Sequence, residues 1–291
     1  MTTIVRRRAL GITSVKGIIA ASNSELSYAN NYQGIPHDDV YIRWGCTSQL
    51  PNAGATVINN PSAIHRVSDK RGFRKQLSDA GLCQMTYTSI NQIPNEPNMV
   101  PMVVRKKTHA QGRHLWLCRT LTDLRHRCAQ LGEGNYYFSA FIDKVAEYRV
   151  FVQQGYVVWV AEKTPGDRTK VAWNVNRGGR FDNVRWDNWD MVVNDCAIRS
   201  WELSGLHFGG VDVMVDEGGE AYCLEINSAP SQTSPYRQEC VAKAFDWMIE
   251  QEEYGIGLTR GPAPVVPSSW KKQVHPGVWE RGRNAEEARN V

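Results

Sequence analysis

The segment at residues 208–230 constrains the fold most, because it reads as two short strands joined by a glycine turn. If Gly218-Gly219 occupy the central positions of a hairpin turn, the register places Asp212 opposite Glu225. Side chains alternate across a strand, so Asn227 shares the face of Glu225. The positions between them on the other face are apolar: Val211, Val213, Leu224 and Ile226. The sequence therefore predicts a hairpin with one apolar face and one face that carries opposed carboxylates.

Two carboxylates that face each other across a pair of strands repel, which destabilises the pair. A divalent cation between Asp212 and Glu225 removes that repulsion. Carboxylate oxygens and the amide oxygen of Asn227 are hard ligands of the kind that Mg²⁺ prefers. The alternative interpretation is the polar outer face of an ordinary hairpin, since alternating strands are common.

A basic loop at residues 105–113 (RKKTHAQGR) lies between two segments that are predicted to be apolar strands. Cations at a strand end, followed by a glycine-containing turn with free backbone N–H groups, can bind a polyphosphate. The loop lacks the GxxxxGK[ST] pattern of a P-loop. It is therefore either a different kind of phosphate site or a solvated basic hairpin.

Two further segments place polar side chains next to apolar strands. Asp143 follows one such strand, where a carboxylate can accept hydrogen bonds from a ribose; the alternative is a charged loop. Asn174 and Arg177 flank a glycine-rich turn at residues 173–181 (WNVNRGGRF). The guanidinium fork can bind a carboxylate or phosphate at two points, whereas the alternative is a flexible surface loop.

The composition excludes several classes of protein. The 291 residues are 42% hydrophobic and 22% charged, which is ordinary for a soluble globular protein. A net charge of +4 and the lack of a zinc-finger pattern argue against nucleic-acid binding. Seven Cys without a CxxC pair indicate a reducing compartment rather than a disulfide framework. Without an apolar run of membrane-spanning length or a signal-peptide core, we expect a cytoplasmic protein.

These motifs, in this order and at this spacing, resemble the ATP-grasp superfamily. The likeness is greatest to the branch of the ribosomal-protein glutamate ligase and the glutathione-synthetase-like ligases, and it covers residues 61–247. It implies an α+β fold in which two subdomains grip a nucleotide. We divide the chain accordingly into a small α/β lead-in domain (1–65), subdomain 1 (66–135), subdomain 2 (136–254) and a Pro-rich tail (255–291).

The resemblance implies a nucleotide site. Lys70 corresponds to a family Lys that reaches the phosphates from the start of a helix. Arg105 stands where the family usually has Lys, which leaves Lys106 and Lys107 as alternatives for that contact. With the adenine hinge and the acidic-x-Arg triplet, the implied ATP-binding residues are Lys70, Arg105, Lys107, Gln111, Gly112, Phe141, Ile142, Asp143, Glu147 and Arg149.

The resemblance also implies the metal ligands and the catalytic residues. The family's metal triad is matched by Asp212, Glu225 and Asn227, which would hold Mg²⁺ or, alternatively, Mn²⁺. The implied catalytic residues are Arg105, Asn174 and Arg177. Ala172 stands where the glutamate-ligase pattern has Arg, which leaves the class of acceptor open. Position alone suggests substrate contacts for Arg43, Lys163 and Arg177.

Enzymes of this family use ATP to phosphorylate a carboxylate, and an amine then attacks the acyl phosphate. The resemblance thus implies a carboxylate–amine ligase that releases ADP and phosphate. Its expected partners are ATP, a carboxylate substrate and the amine of an amino acid, peptide or protein terminus, with no membrane partner and with oligomer formation left open. Two alternatives remain: an ATP-dependent phosphotransferase with a non-carboxylate acceptor, and a non-catalytic nucleotide-binding or structural protein of ATP-grasp descent.

Overall fold

The N-terminal part of the chain is a parallel α/β layer, as expected for the lead-in domain. The computed structural model describes residues 1–7, 11–31, 34–94, 96–108, 113–173 and 178–253. The elements of this layer are β1 (Thr2–Arg6), α1 (Ile12–Ala21), β2 (Leu26–Asn30), β3 (Val40–Trp44) and β4 (Thr56–Ile58). The strands are all parallel and lie in the order β2-β1-β3-β4.

Two helices lead out of this layer: α2 (Pro61–Ser68) and α3 (Lys70–Asp79). The carboxylate of Asp69 accepts a hydrogen bond from the backbone N–H of Gly72 at 3.2 Å, which caps α3 and places Lys70 in its first turn. The predicted boundary at residue 65 falls inside α2. The lead-in is therefore joined to the next unit by two consecutive helices that are separated only by Asp69.

A small antiparallel sheet follows, with one helix packed on it. Its elements are β5 (Thr86–Tyr87), β6 (Met102–Lys106), β7 (Leu115–Cys118), α4 (Leu121–Leu131) and β8 (Tyr136–Ala140). The order is β5-β8-β6-β7. The predicted boundary at residue 135 assigns β8 to the next subdomain, but β8 is hydrogen-bonded between β5 and β6. Periodicity identifies a strand without identifying its partners, and this boundary is therefore wrong.

A large antiparallel sheet with two long helices makes up the rest of the described chain. Its elements are β9 (Lys144–Gln153), β10 (Tyr156–Thr164), β11 (Arg180–Val184), α5 (Met191–Ser204), β12 (Phe208–Asp216), β13 (Ala221–Asn227) and α6 (Pro235–Glu253). The strand order is β11-β10-β9-β12-β13. The predicted Pro-rich tail at 255–291 lies outside the described residues.

The lead-in shares its core with the large sheet. The Trp44 ring stacks on Phe208 of β12 at a centroid distance of 5.6 Å and meets Phe245 of α6 edge-on at 6.2 Å. Buried Asp246 of α6 accepts hydrogen bonds from the backbone N–H groups of Asn23 at 2.9 Å and Ser24 at 3.1 Å. The lead-in is therefore fixed to α6 by apolar and polar contacts.

The arrangement of helices and separate sheets confirms the α+β fold class. In the part of the chain that the structure describes, no helix has both the length and the apolar character that a membrane crossing requires. The small sheet (β5–β8) and the large sheet (β9–β13) face each other across a cleft, and the β8–β9 connection joins them.

Candidate active site

The cleft between the two sheets has a volume of about 1040 Å³. Arg105 and Tyr137 line it from the small sheet, and Lys70 lines it from α3. All five strands of the large sheet contribute lining residues, among them Lys144, Glu147, Arg149, Lys163, Phe181, Asp212, Met214, Leu224, Glu225 and Asn227. The cleft is thus lined on the large-sheet side mainly by charged and polar groups.

The hairpin of β12 and β13 pairs Asp212 with Glu225, as the glycine turn predicted. The pairing arises differently, because the pair next to the turn is Val215 with Ala221, one residue away from the predicted register. A bulge at the step from Val213 to Asp212 then restores the predicted register. Bulges let neighbouring side chains share a face, and Leu224 lines the cleft where an unbulged strand would turn it to the core.

Asp212 is bound by Arg149 on the adjacent strand β9. The Arg149 Nε donates to Oδ1 at 2.6 Å and a terminal nitrogen donates to Oδ2 at 2.8 Å, so the pair is bidentate. Lys163 Nζ lies 3.7 Å from the same Oδ2. Burial opposes the charge on Arg149, but Asp212 outweighs it and raises the pKa of Arg149 above its ordinary value. Asp212 itself is only 3% exposed.

Glu147 of β9 bridges two lysines in the interior. Its two carboxylate oxygens form ion pairs with Lys144 Nζ and Lys163 Nζ. Burial is the largest influence on both ammonium groups. It lowers the pKa of Lys144, whereas Asp212 and Glu147 together outweigh it and raise the pKa of Lys163. The predicted nucleotide residue Glu147 is therefore also the counter-ion that keeps two buried cations in place.

Glu225 of β13 forms an ion pair with a cation from outside the sheet, Lys70 of α3. Lys70 Nζ lies 2.6 Å from Oε2, and the Asn227 amide N–H donates to Oε1 at 3.2 Å. Burial disfavours the charged carboxylate, but Lys70, Arg149 and the Asn227 hydrogen bond lower the pKa of Glu225 to about 2. The helix start that Asp69 caps is thus held against the end of β13.

Arg105 has neutral partners. Its guanidinium donates to the hydroxyl of Ser139 at 3.1 Å and to the backbone carbonyl of Val103 at 3.1 Å. Burial, followed by repulsion from Arg74, lowers the pKa of Arg105 to about 10. Lys107 is exposed at the end of β6, and neither it nor Lys106 is among the residues that line the cleft. Of the three candidate cations on this strand end, Arg105 faces the cleft.

The β8–β9 connection lines the cleft with Phe141, Ile142 and Asp143. The Phe141 N–H donates to the carbonyl of Pro101 at 2.9 Å, which ties the connection to the small sheet. Next to it, the ammonium of Lys144 lies 4.5 Å from the centre of the Trp173 ring. The predicted adenine hinge therefore lies where a flat base would meet apolar and aromatic side chains.

Comparison with known families identifies this architecture. The RimK-like ATP-grasp domain matches residues 62–246, which is more than half of the chain. The chain belongs to the RimK-like ATP-grasp family. No curated protein matches it in sequence.

Solved structures show the same ATP-grasp fold. The ATP-grasp ligase PsnB complexed with a minimal precursor has a TM-score of 0.60 at 13% identity and covers 84% of this chain and 97% of its own. D-alanine–D-alanine ligase from Bacillus anthracis has a TM-score of 0.56 at 12% identity over 98% and 99% of the two chains. Macrocyclase MdnC from Microcystis aeruginosa MRC, bound with precursor peptide MdnA, has a TM-score of 0.55 at 14% identity over 84% and 99%. At these identities the likeness establishes the fold, as the sequence motifs predicted.

The donor atoms of the hairpin fit the Mg²⁺ that ATP-grasp proteins use. Asp212 and Glu225 offer carboxylate oxygens from paired positions, and Asn227 keeps its amide oxygen available because its N–H group bonds Glu225. Within the described residues, no group of three or more His, Cys, Asp or Glu side chains could hold a metal. A metal here would therefore rest on two carboxylates and an amide, with phosphate and water oxygens completing its shell.

Some predicted site residues lie elsewhere or outside the described chain. Arg43 is buried in the lead-in, where it donates to the carbonyls of Cys46 at 3.1 Å and Ser48 at 2.8 Å, and it does not line the cleft. The structure therefore does not support the predicted substrate contact of Arg43. The guanidinium instead holds the loop that follows β3. Four predicted residues fall outside the described ranges: Gln111, Gly112, Asn174 and Arg177.

Sequence reasoning missed several aromatic and cationic side chains in the cleft, among them Trp173, Phe181 and Arg237. Trp173 and Phe181 carry cations on their faces, including Arg149 at 4.7 Å from the Phe181 ring centre. Arg237, from the start of α6, also lines the cleft. Both aromatics stand at the ends of the glycine-rich segment 173–181, which was a usable signal, whereas nothing in the local sequence marks Arg237.

Proposed function

We propose that the chain is an ATP- and Mg²⁺-dependent ligase that activates a carboxylate as an acyl phosphate and joins it to an amine. Membership of the RimK-like ATP-grasp family and the ATP-grasp ligases among its structural neighbours support ATP-dependent carboxylate–amine ligation. Complexes of two such neighbours with precursor peptides favour an amino acid, peptide or protein terminus as a substrate.

The observation that carries the proposal is the opposition of Asp212 and Glu225 across the hairpin, at the centre of a cleft lined by cations. Two paired carboxylates beside Lys70 and Arg149 form a site that is suited to a metal–polyphosphate complex and not to an isolated anion. An ordinary polar hairpin face would lie in solvent, whereas Asp212 is 3% exposed.

The positions of the side chains assign their roles in the proposed reaction. The connection at residues 141–143 would hold the base, since the apolar side chains of Phe141 and Ile142 line the cleft there. Lys70 and Arg105 would reach the phosphates from α3 and β6, because both point into the cleft from the small-sheet side. Arg105 is the stronger candidate for this contact than Lys107, since it lines the cleft whereas Lys107 is exposed and does not.

The proposed chemistry asks the chain for positioning and charge neutralisation rather than for a covalent nucleophile. Asp212, Glu225 and Asn227 would hold Mg²⁺, which when bound draws charge from the transferring phosphoryl group. The substrate carboxylate attacks the γ-phosphorus and ADP leaves. The amine then attacks the acyl carbon, phosphate leaves, and the amine loses a proton. Arg149 and Lys163 line the cleft from β9 and β10 and would stabilise the negative charge that develops on the transferring phosphoryl group.

The test measures ADP release from Mg²⁺-ATP in the presence of pooled carboxylates and pooled amines, with each pool omitted in turn. We expect ADP only with both pools, and a loss of at least a hundredfold in Glu225→Gln and in Asp212→Asn, since each removes a charge from the metal pair. Mn²⁺ is expected to replace Mg²⁺ with a changed rate. Carboxylate labelled with ¹⁸O should pass one labelled oxygen to the released phosphate.

The matched control is Glu239→Gln, which removes an exposed surface carboxylate paired with Lys243 and should keep the wild-type rate. AMP in place of ADP would contradict acyl-phosphate formation. ADP formed without an amine, together with a stable phosphorylated product, would point to the phosphotransferase alternative. Glu225→Gln turning over at the wild-type rate in saturating Mg²⁺ would overturn the metal assignment.

A further inference from the structure

Arg237 is a buried cation that points into the far part of the cleft. It is the third residue of α6, it is 5% exposed, and it lines the cleft. Its guanidinium carbon lies 5.4 Å from the centre of the Trp159 ring and 5.8 Å from that of Phe181. The two aromatic rings hold the plane of the guanidinium in place and leave its N–H groups for another partner.

That partner is missing from the chain as described. Arg237 Nε is buried without a hydrogen-bond acceptor, and no ion pair or hydrogen bond joins this guanidinium to the described residues. The other buried or half-buried cations of the cleft wall all donate to a carboxylate, carbonyl or hydroxyl: Lys70, Arg74, Arg105, Lys144, Arg149 and Lys163. Arg237 therefore differs from its neighbours in the cleft.

Its surroundings also disfavour an isolated positive charge. Burial, followed by repulsion from Arg149, lowers the pKa of Arg237, and the attraction of Asp182 does not offset this. The first turn of α6 holds no acidic residue, and the helix dipole there favours anions over cations. A buried charge without a partner costs stability, so an anionic ligand would relieve a cost that the free protein carries.

Arg237 lies beside the cations of the large sheet, on the side away from the β8–β9 connection. Its neighbour Trp159 pairs with Phe151, near the end of β9 that is remote from that connection. The Phe181 ring that Arg237 contacts also faces Arg149 at 4.7 Å and Lys163 at 5.3 Å. An anion at Arg237 would therefore bind next to these two cations, where a substrate that extends away from the connection would lie.

We propose that Arg237 binds a carboxylate of the substrate that is not the one being activated, so that the enzyme selects substrates with a free second carboxylate. Ser231 and Thr233, which precede α6 in the chain, also line the cleft, and their hydroxyls can add hydrogen bonds. One guanidinium fork with two hydroxyls suits the two oxygens of a carboxylate. The substrate role rests on the ligase function proposed above, whereas the binding of a carboxylate can be tested without turnover.

The first experiment measures thermal stabilisation by small ligands in the presence of Mg²⁺ and a non-hydrolysable ATP analogue. The probes are the standard amino acids and glycyl dipeptides, each as the free acid and as the C-terminal amide, together with inorganic phosphate. We expect at least one free acid to raise the melting temperature of the wild-type protein while its amide does not. In Arg237→Met, affinity for that acid should fall by roughly tenfold to a hundredfold, with Arg237→Lys between the two.

The melting temperature of the ligand-free protein separates a binding role from a structural one. A structural Arg would leave Arg237→Met less stable than the wild type. Removal of an unpaired buried charge should instead leave the melting temperature unchanged or raised. Arg199→Met, at an exposed position paired with Asp195, is the matched control and should change neither quantity.

Four results would overturn the proposal: acids and amides that bind the wild type equally, no acid that binds, an acid that binds Arg237→Met as tightly as the wild type, or phosphate that binds as well as the acids. A fall in the ligand-free melting temperature of both Arg237 variants would also overturn it. If acid binding depends on Arg237 but no ADP is released under any pairing of substrates, the carboxylate site stands and the ligase function fails.

Discussion

The two walls of the cleft handle charge in different ways. On the large sheet, Asp212 and Glu147 are each bonded by cations, so that the wall is already neutralised within the protein. On the small sheet, Arg105 has only a hydroxyl and a carbonyl as partners. Apart from Arg237, the charged groups of the large-sheet wall thus compensate one another and fix its geometry, whereas the small-sheet wall presents Arg105 as a cation that is ready for an anionic ligand.

The strongest test of this contrast between the two walls is a substitution at Glu147. Glu147→Gln leaves Lys144 and Lys163 buried without a full counter-charge, and we expect the free energy of unfolding to fall by about 3 kcal/mol. Urea denaturation measures this loss. Glu239→Gln, which removes an exposed partner of Lys243, is the control and should lose less than about 1 kcal/mol.

A second variant tests the origin of that loss. In Glu147→Gln with Lys163→Met, one stranded ammonium is removed, and part of the lost stability should return. If Glu147→Gln lowered the free energy of unfolding no more than Glu239→Gln does, the ion pairs of Glu147 would not be what holds the large-sheet wall together.

Arg105 should give the opposite pattern. Arg105→Met removes a cation without stranding a carboxylate, so the free energy of unfolding should change by less than about 1 kcal/mol. The Kd for a non-hydrolysable ATP analogue should rise on the order of tenfold, because one charge-assisted contact to phosphate is lost. Calorimetric titration measures the binding.

Lys107→Met decides between the two candidate cations at this strand end. Lys107 is exposed and does not line the cleft, so its loss should change the Kd by less than about twofold. If Lys107→Met raised the Kd as much as Arg105→Met or more, the phosphate contact would be assigned to Lys107.

The last test of the comparison is the pH dependence of Glu225, which joins the large sheet to α3 through its ion pair with Lys70. Its pKa is about 2 in the folded protein against an ordinary 4.5, so its ionised form stabilises the fold above pH 4.5 and this contribution is lost as the pH falls toward 2. The difference in unfolding free energy between wild type and Glu225→Gln should therefore narrow from pH 5 to pH 3. A difference that stays constant over this range would contradict the ion pair.

Local pattern predicted the elements of the site better than their partners. The two strands of the hairpin follow from the alternation of apolar and polar residues and from the glycine turn. The helix start at Lys70 is implied by the family resemblance and is confirmed by α3. The place of β8 between β5 and β6 does not follow from local pattern, because it depends on contacts between strands that are distant in the chain.

The candidate site shows the same limit. The opposition of Asp212 and Glu225 was predicted from the glycine turn, although the observed pair depends on the bulge as well as on the turn. The role of Glu147 as a bridge between Lys144 and Lys163 could not be predicted. Arg237 approaches the cleft from a helix whose sequence carries no site signal. Tertiary packing determines which side chains reach a site from another helix or strand, and local sequence does not show it.

The bulge in the hairpin has a consequence for how chain length relates to geometry. The pairing next to the turn is offset by one residue, and the bulge at Leu224 shifts the register back by one residue. Deletion of Leu224 would remove the bulge and pair Val213 with Cys223 and Asp212 with Glu225 in one regular register. The number of residues between the two carboxylates is therefore not a fixed signature of this site. Relatives that differ by a one-residue insertion or deletion in this segment can keep the same pair of metal-facing side chains.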